Sequence, residues 1–123
     1  VNPHKETKSV SKEETFDTDT TDLRLIEAAI ARQAEALAKR LEAKGVQAKT
    51  VQLKVKYADF RQITRMVTHD NYFRSARIIR DQAMELLRKT EAGGNPIRLI
   101  GLTVAHFWQD DEAVQLSLFD WEE

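Results

Sequence analysis

Few side chains in this sequence could support covalent or metal chemistry. Its 123 residues include no cysteine and three histidines. The histidines are His4, His69 and His106, and their spacing matches no metal-binding pattern. Asp70 follows His69, and we interpret it as the N-cap of a helix rather than as a catalytic acid. We therefore expect no catalytic residue, no metal site and no cofactor on this chain.

Lysines instead alternate with apolar residues in one segment. In TVQLKVKY, residues 50–57, every second residue is apolar, which predicts a β-strand with one buried face. Lys54 and Lys56 fall on the other face. The predicted members of that face are Lys54, Lys56, Thr64, Gly101, Thr103 and Ala105. Such a basic, uncrowded surface suits a phosphate backbone bound without sequence preference, because lysines neutralise phosphate charge and small residues allow close approach.

The charge distribution indicates two different partners. The net charge is −1, but residues 44–109 carry 12 basic and 5 acidic residues, a balance of +7. Residues 110–123 carry six acidic residues and no basic one. A basic middle followed by an acidic tail is typical of a chain that binds nucleic acid with one part and something else with the other.

The elements that must position these residues can be predicted from periodicity. Residues 9–16 form a short strand, and DTDTTD, residues 17–22, is a cluster of helix N-cap residues. Apolar residues at positions 23, 26, 30, 34, 37 and 41 then predict an amphipathic helix that ends at Lys44 and Gly45. Residues 63–68 pair with the strand 50–57. A second helix is capped by Asp70 or Asn71 and is ended by AGGNP, residues 92–96. Its predicted buried side contains Phe73, Ala76, Ile79, Ala83, Leu86 and Leu87. Residues 97–107 form the last strand.

This order predicts an α+β fold of the split β-α-β-β-α-β type. Two helices can cover one face of the four-stranded, antiparallel-containing sheet, which leaves the lysine face open. We expect a linker at residues 1–8, one domain at 9–108 and a disordered, flexible tail at 109–123. The acidic run at 110–112 is interpreted as a solvated spacer. Arginines at 74, 77, 80 and 88 are assigned to the solvent side of the second helix, partly paired with Asp81 and Glu85.

Four segments together resemble a known family. They are KSVSKEETF (8–16), LKVKYADFRQITR (53–65), RLIGLTV (98–104) and QLSLF (115–119). In this order they are similar to the little-finger domain of Y-family translesion DNA polymerases, of the bacterial DNA polymerase IV type. The resemblance spans essentially the whole chain from about Lys8.

The resemblance implies that the sheet lies in the major groove of a template–primer duplex and contacts both backbones. The residues implied at one backbone are Ser9, Val10 and Ser11, through their N–H groups, with Lys12 beside them. Those implied at the opposite backbone are Thr64, Arg65, Arg98 and Thr103. Ser11 stands where glycine is frequent in the family and Thr103 where arginine is common, so we expect a weaker grip than the family pattern provides.

The resemblance also implies a partner for the tail, the bacterial β sliding clamp. The clamp-binding residues would be Gln115, Leu116, Ser117, Leu118 and Phe119. Gln115 would hydrogen-bond in one sub-pocket, and Leu118 with Phe119 would fill a hydrophobic cleft. Trp121 lies beyond the motif, and we hypothesise that it adds a contact at the rim.

As a whole, the resemblance implies a DNA-binding and clamp-tethering module of a lesion-bypass DNA-directed DNA polymerase. The Mg²⁺-dependent catalytic residues would lie in a palm domain upstream, so we expect this chain to be one monomeric, cytoplasmic part of that enzyme. No apolar run approaches the roughly 18 residues of a membrane span. The alternative is a free-standing split-βαβ domain that binds RNA or protein, although RNA-binding versions usually carry stacking aromatics on the open face. An acylphosphatase-like enzyme is disfavoured because no arginine-bearing, glycine-rich phosphate loop is present.

Overall fold

The computed structural model describes residues 9–105 and 108–109. The bounds of its elements are β1 Ser9–Thr20, α1 Leu23–Lys44, β2 Val46–Tyr57, β3 Gln62–Phe73, α2 Ala76–Leu87, β4 Ile97–Ala105 and β5 Trp108–Gln109. The predicted order β-α-β-β-α-β is confirmed, with the two-residue β5 added at the end. The expected linker at 1–8, the acidic run at 110–112, the motif at 115–119 and Trp121 all lie outside the described residues.

The four long strands form an antiparallel sheet in the order β1-β4-β2-β3. β4 and β2 are therefore central, and β1 and β3 are the edges. The register between the central strands places buried residues opposite one another, as in the pairs Leu53–Leu102 and Val55–Ile100. Because side chains alternate across a sheet, this one face carries the apolar core.

Both helices cover that apolar face. α1 packs on β1, β4 and β2, α2 packs on β2 and β3, and the two helices contact each other. α1 begins as predicted, with the Asp22 carboxylate accepting the Arg24 N–H at 2.9 Å, and it ends at Gly45 in the left-handed conformation, φ 69°. Leu23, expected in the buried stripe, is 42% exposed because the first turn is covered only by the loop at Gly93.

The predicted cap of the second helix is wrong. Asp70 and Asn71 belong to β3, which continues to the buried Phe73 and pairs it with Ala48. Between Thr68 and Phe73 the register of β3 against β2 is irregular, so the apolar alternation does not hold there. Within this stretch the Asn71 N–H donates to His69 Nδ1 at 3.1 Å. The N-cap of α2 is Ser75, whose hydroxyl accepts the Arg77 N–H at 3.1 Å.

β5 continues along β2 past the end of β4. Trp108 pairs with Gln47 and Gln109 with Val46, whereas β4 pairs with β2 from Thr50 onwards. The described part of the chain end therefore runs in line with β4 and leaves the uncovered sheet face bare. Within the described residues, no helix is long and apolar enough to cross a membrane.

Candidate nucleic-acid interface

The sheet face opposite the helices, called the open face below, takes every second residue of each long strand. Lys54 lies directly between Gly101 on β4 and Thr64 on β3. By the same register the open face contains Ser9, Ser11, Glu13, Thr15, Thr50, Gln52, Lys54, Lys56, Gln62, Thr64, Met66, Thr68, Leu99, Gly101, Thr103 and Ala105. The structure thus brings together all six residues that the sequence predicted on this face.

The open face is polar, shallow and basic at its centre. Gly101 and Thr64 flank Lys54, Leu99 and Gln62 flank Lys56, and none of the residues named in this register is aromatic. Leu99 and Met66 are its apolar members, and Met66 is 60% exposed. Such a surface can donate hydrogen bonds and positive charge to an anionic polymer without offering a base-stacking platform.

Glu13 is the acid that lies beside Lys54 on the open face, and sequence reasoning missed it. Its carboxylate Oε1 lies 2.7 Å from Lys54 Nζ, although the two residues are on strands separated by β4. The ion pair passes over Gly101, where a Cβ would lie 3.0 Å from the Glu13 Cβ and 3.3 Å from the Lys12 carbonyl oxygen. The missing side chain at Gly101 therefore makes room for β1, in addition to keeping the face shallow.

Two of the predicted phosphate-binding side chains leave the sheet on its other face. Lys12 pairs with Leu102 and Arg65 with Leu53, and both partners are core residues. Because β1 and β3 are the edge strands, both cations are nevertheless exposed to solvent. They flank the open face at its two edges instead of lying on it.

The free edge of β1 carries backbone groups that the sheet does not use. Arg40 Nη1 on α1 donates to the Ser11 carbonyl oxygen at 3.0 Å, so that carbonyl points away from β4. In an antiparallel strand the N–H and C=O of one residue point to the same side, and neighbouring residues alternate. The N–H groups of Ser9 and Ser11 thus face the free edge, whereas Val10 faces β4 and buries its side chain.

The sheet order separates Thr103 from the residues with which the resemblance grouped it. Thr103 pairs with Ser11 on one side and with Gln52 on the other, so it lies in the β1 half of the open face. Thr64 lies beyond β2, on the opposite edge strand. β2 therefore separates the two threonines, and their shared contact with one backbone stays a prediction.

Arg98 sits at the end of the open face, beside the β2–β3 hairpin. Its guanidinium carbon lies 4.6 Å from the centre of the Phe60 ring, and its Nε lies 3.9 Å from an Asp19 carboxylate oxygen. Lys56 Nζ is 5.8 Å from the same ring. Phe60 is 63% exposed and has a φ of 71°, which is unusual for a bulky residue. The ring holds two cations at one end of the open face.

The same hairpin is attached to the loop after α2. The Arg61 guanidinium contacts the Glu91 carboxylate at 2.9 Å, and the Glu91 N–H donates to the Tyr57 hydroxyl at 2.9 Å. The hydrogen bond from Arg61, with a further one from Asn95, lowers the pKa of Glu91, and the Glu91 contact raises the pKa of Arg61. These contacts fix the hairpin that carries Lys56.

The remaining candidates have local roles. His69 accepts the Asn71 N–H within β3. On α2, Arg77 and Arg80 pair with Asp81, and Arg88 pairs with Glu85, as the sequence predicted for a solvent-facing helix side. In the part of the chain that the structure describes, no three acidic, histidine or cysteine residues come together in a way that could hold a metal ion.

Comparison with known proteins identifies the family. Residues 7–118 match the impB/mucB/samB family C-terminal domain. A DNA polymerase IV from Listeria monocytogenes is 42% identical over 106 residues, which cover 86% of this chain and 30% of the relative. A DNA polymerase IV from Alkalilimnicola ehrlichii is 42% identical over 121 residues, which cover 97% of this chain and 34% of the relative. The chain thus spans about a third of the length of these relatives.

Solved structures agree with this assignment. The little finger domain of PolIV, determined in complex with the beta-clamp processivity factor, superposes with a TM-score of 0.65 at 25% identity. That match covers 79% of this chain and 86% of the other. Dbh DNA polymerase, in an insertion ternary complex, shares the fold with a TM-score of 0.66 at 12% identity, over 83% of this chain and 29% of that one. The chain therefore belongs to the impB/mucB/samB C-terminal domain family, and the predicted kinship with the little-finger domain of Y-family polymerases of the DNA polymerase IV type is confirmed.

Proposed function

We propose that the open face binds duplex DNA through its phosphate backbones and that the tail tethers the protein to a bacterial sliding clamp. The whole protein would be a lesion-bypass DNA-directed DNA polymerase of the bacterial cytoplasm. The observation that carries the DNA proposal is the bare sheet face, with Lys54 at its centre between Gly101 and Thr64 and Lys56 next along the same strand.

The width of the sheet supports backbone contact over base reading. Three strand spacings of about 4.8 Å separate β1 from β3 by about 14 Å, slightly more than the roughly 12 Å width of the DNA major groove. A sheet of this width bridges the groove, so its two edges meet the two phosphate backbones. Ser9, Ser11 and Lys12 would serve one backbone from β1, and Thr64 and Arg65 would serve the other from β3.

Residues of the central strands would then lie over the groove. Lys54 and Lys56 have long side chains that can each reach a phosphate from β2, and Thr103 stands beside Ser11 at the β1 side. Arg98 is held at the end of the face by Phe60 and Asp19, where it can reach a phosphate further along the duplex. The middle of the described open face carries Lys54, Gly101 and Thr64 rather than stacking rings, which argues against the RNA-binding alternative.

The DNA proposal is tested by reversing the two central lysines. Lys54→Glu with Lys56→Glu should lower duplex affinity at least tenfold and flatten the logarithmic salt dependence by about 1.8, because two phosphate contacts are lost. Fluorescence anisotropy with several unrelated duplexes measures both quantities, and affinities that differ little among the duplexes are expected. Lys39→Glu with Lys89→Glu is the matched control, since both lysines are exposed in the helix layer. Equal losses in the two double variants would reduce the effect to net charge and contradict the proposal.

The clamp proposal rests on QLSLF and on the solved relative, whose complex contains a beta-clamp processivity factor. Gln109 pairs at the start of β2, so the described chain ends beside the sheet and not over its open face. The six residues from there to Gln115 can span roughly 20 Å. Burying Leu118 and Phe119 contributes roughly 1.5–3 kcal/mol each, and ordering the tail offsets part of this gain. We therefore expect an affinity no tighter than micromolar, about −8 kcal/mol.

Titration with a bacterial sliding clamp tests this second proposal. Leu118→Ala with Phe119→Ala should abolish measurable binding, whereas Ser117→Ala should retain it, because the serine fills no pocket. Trp121→Ala should weaken binding slightly if the tryptophan contacts the rim. Clamp binding that survives loss of both Leu118 and Phe119 would contradict the proposal.

Nucleotidyl transfer by the whole protein would depend on residues other than those described. Two-metal catalysis needs carboxylates fixed on rigid elements, and the described residues form no such group. We therefore assign the Mg²⁺ site to a palm domain of the whole protein. The role of this domain is to hold DNA and to keep the enzyme on the clamp.

A further inference from the structure

A small hollow lies at the centre of the open face. Its volume is about 80 Å³, and Gly101 forms its floor. The other residues that line it are Ser11, Lys12, Glu13, Gln52, Lys54, Leu102 and Thr103. By register, the side chains of Ser11, Gln52 and Thr103 form the row next to the Glu13–Gly101–Lys54 row. Hydroxyls, an amide and an ammonium group thus converge on one spot, which is the donor set that phosphate oxygens prefer.

An acid already occupies this basic spot. The Glu13 carboxylate pairs with Lys54 at 2.7 Å, and the side chains remain 53% and 35% exposed, respectively. Exposed ion pairs of this kind are weak and exchange readily with other anions. The lysine at the centre of the proposed DNA face is therefore partly neutralised by the protein itself, through a contact that an incoming phosphate can replace.

We propose that Glu13 is an internal substitute for a DNA phosphate, which holds Lys54 in place in the free protein and competes with the duplex for it. This inference rests on the proposed DNA binding and adds a residue that sets its strength. The backbone of β1 positions Glu13 for this role, because the absent side chain at Gly101 lets the carboxylate cross β4. The consequence is that the duplex binds more weakly and dissociates more readily than it would if Lys54 had no acidic partner.

Removing the charge of Glu13 should strengthen DNA binding. For Glu13→Gln we expect roughly fivefold tighter binding near 0.1 M salt, because Lys54 no longer has to leave a close opposite charge before it binds a phosphate. The logarithmic salt dependence should steepen by up to about 0.9, because Lys54 then releases a counterion that Glu13 had replaced. Fluorescence anisotropy with a duplex between about 50 and 200 mM salt gives both values.

The next residue provides a matched control. Glu14 also loses one negative charge when replaced by Gln, and it is also ion-paired, but its partner is Arg32 on α1. Its register partner is the buried Ile100, so its side chain leaves from the helix-covered face. Glu14→Gln should change duplex affinity less than twofold, because neither partner touches the open face.

A second variant links the gain to Lys54. In a background with Lys54→Gln, replacing Glu13 by Gln should give no further gain in duplex affinity, because Glu13 and the duplex then have no Lys54 for which to compete. Thermal unfolding of each variant checks that the fold is kept.

The outcomes separate this inference from the proposal beneath it. If the wild-type chain binds no duplex, both the proposed DNA binding and the inference about Glu13 are contradicted. Duplex binding that Glu13→Gln leaves unchanged, or that Glu14→Gln raises equally, would overturn the inference alone.

Discussion

From Val51 to Tyr57 the two faces of β2 differ residue by residue. Leu53 and Val55 are buried against the helices, whereas Lys54 and Lys56, their immediate neighbours, lie on the open face. One side of the strand thus contributes burial and the other contributes charge. Because the two sets of side chains share only a backbone, the comparison implies that stability and ligand binding can be changed separately in this domain.

The sharpest test of this comparison replaces neighbouring residues by alanine. Leu53→Ala should cost about 2–5 kcal/mol of unfolding free energy, because it leaves a cavity between two buried strands. Lys54→Ala should cost about 0–1 kcal/mol, the usual contribution of an exposed ion pair. Chemical denaturation of both variants measures the difference. A similar cost for both would show that the open face also stabilises the fold.

Gly101 is the position where the two faces are least independent. An added methyl group would lie 3.0 Å from the Glu13 Cβ and 3.3 Å from a β1 carbonyl oxygen, so β1 would have to move. We expect Gly101→Ala to destabilise the domain by about 1–3 kcal/mol, as overpacking does. Ala105→Gly, four residues along the same strand and on the same face, is the control, with a cost of about 1 kcal/mol or less. Equal unfolding curves for wild type and Gly101→Ala would mean that β1 can shift without any loss of unfolding free energy.

The smallest effect is expected at the end of the sheet, where Arg61 contacts Glu91. The pKa of Glu91 is lowered from its ordinary 4.5, so the folded state binds this proton less readily than the unfolded state. Its contribution to stability is therefore complete above pH 4.5 and is lost as the pH falls through the folded pKa.

Glu91→Gln should lower the melting temperature slightly at neutral pH and should match the wild type more closely in acid. Melting curves recorded across the acid range check this, with Glu85→Gln on α2 as a control, since Glu85 pairs only with a neighbouring arginine on its own helix. A melting-temperature difference that stays constant from neutral pH to acid would show that the ion pair adds no pH dependence. The expected change is small because both partners are exposed to solvent.

Local patterns in the sequence were good predictors wherever one face of an element is buried. The alternation in residues 50–57 predicted both faces of β2, and Asp22 and Gly45 predicted the bounds of α1. The prediction failed at Asp70, because an N-cap residue is equally at home in an irregular strand. There the pairing of Phe73 with Ala48 decided the matter, and residue order along the chain does not reveal that pairing.

The sequence by itself determined the faces of the regular parts of β2 and β4, since the pleat repeats every two residues and burial must follow it. Only the tertiary structure decided which strands are neighbours. Placing β4 between β1 and β2 set Glu13 against Lys54 across Gly101, and Thr103 beside Ser11 rather than Thr64. Contacts of this kind join residues distant in the chain, so no local period encodes them, and they determine how strongly the open face can bind an anion.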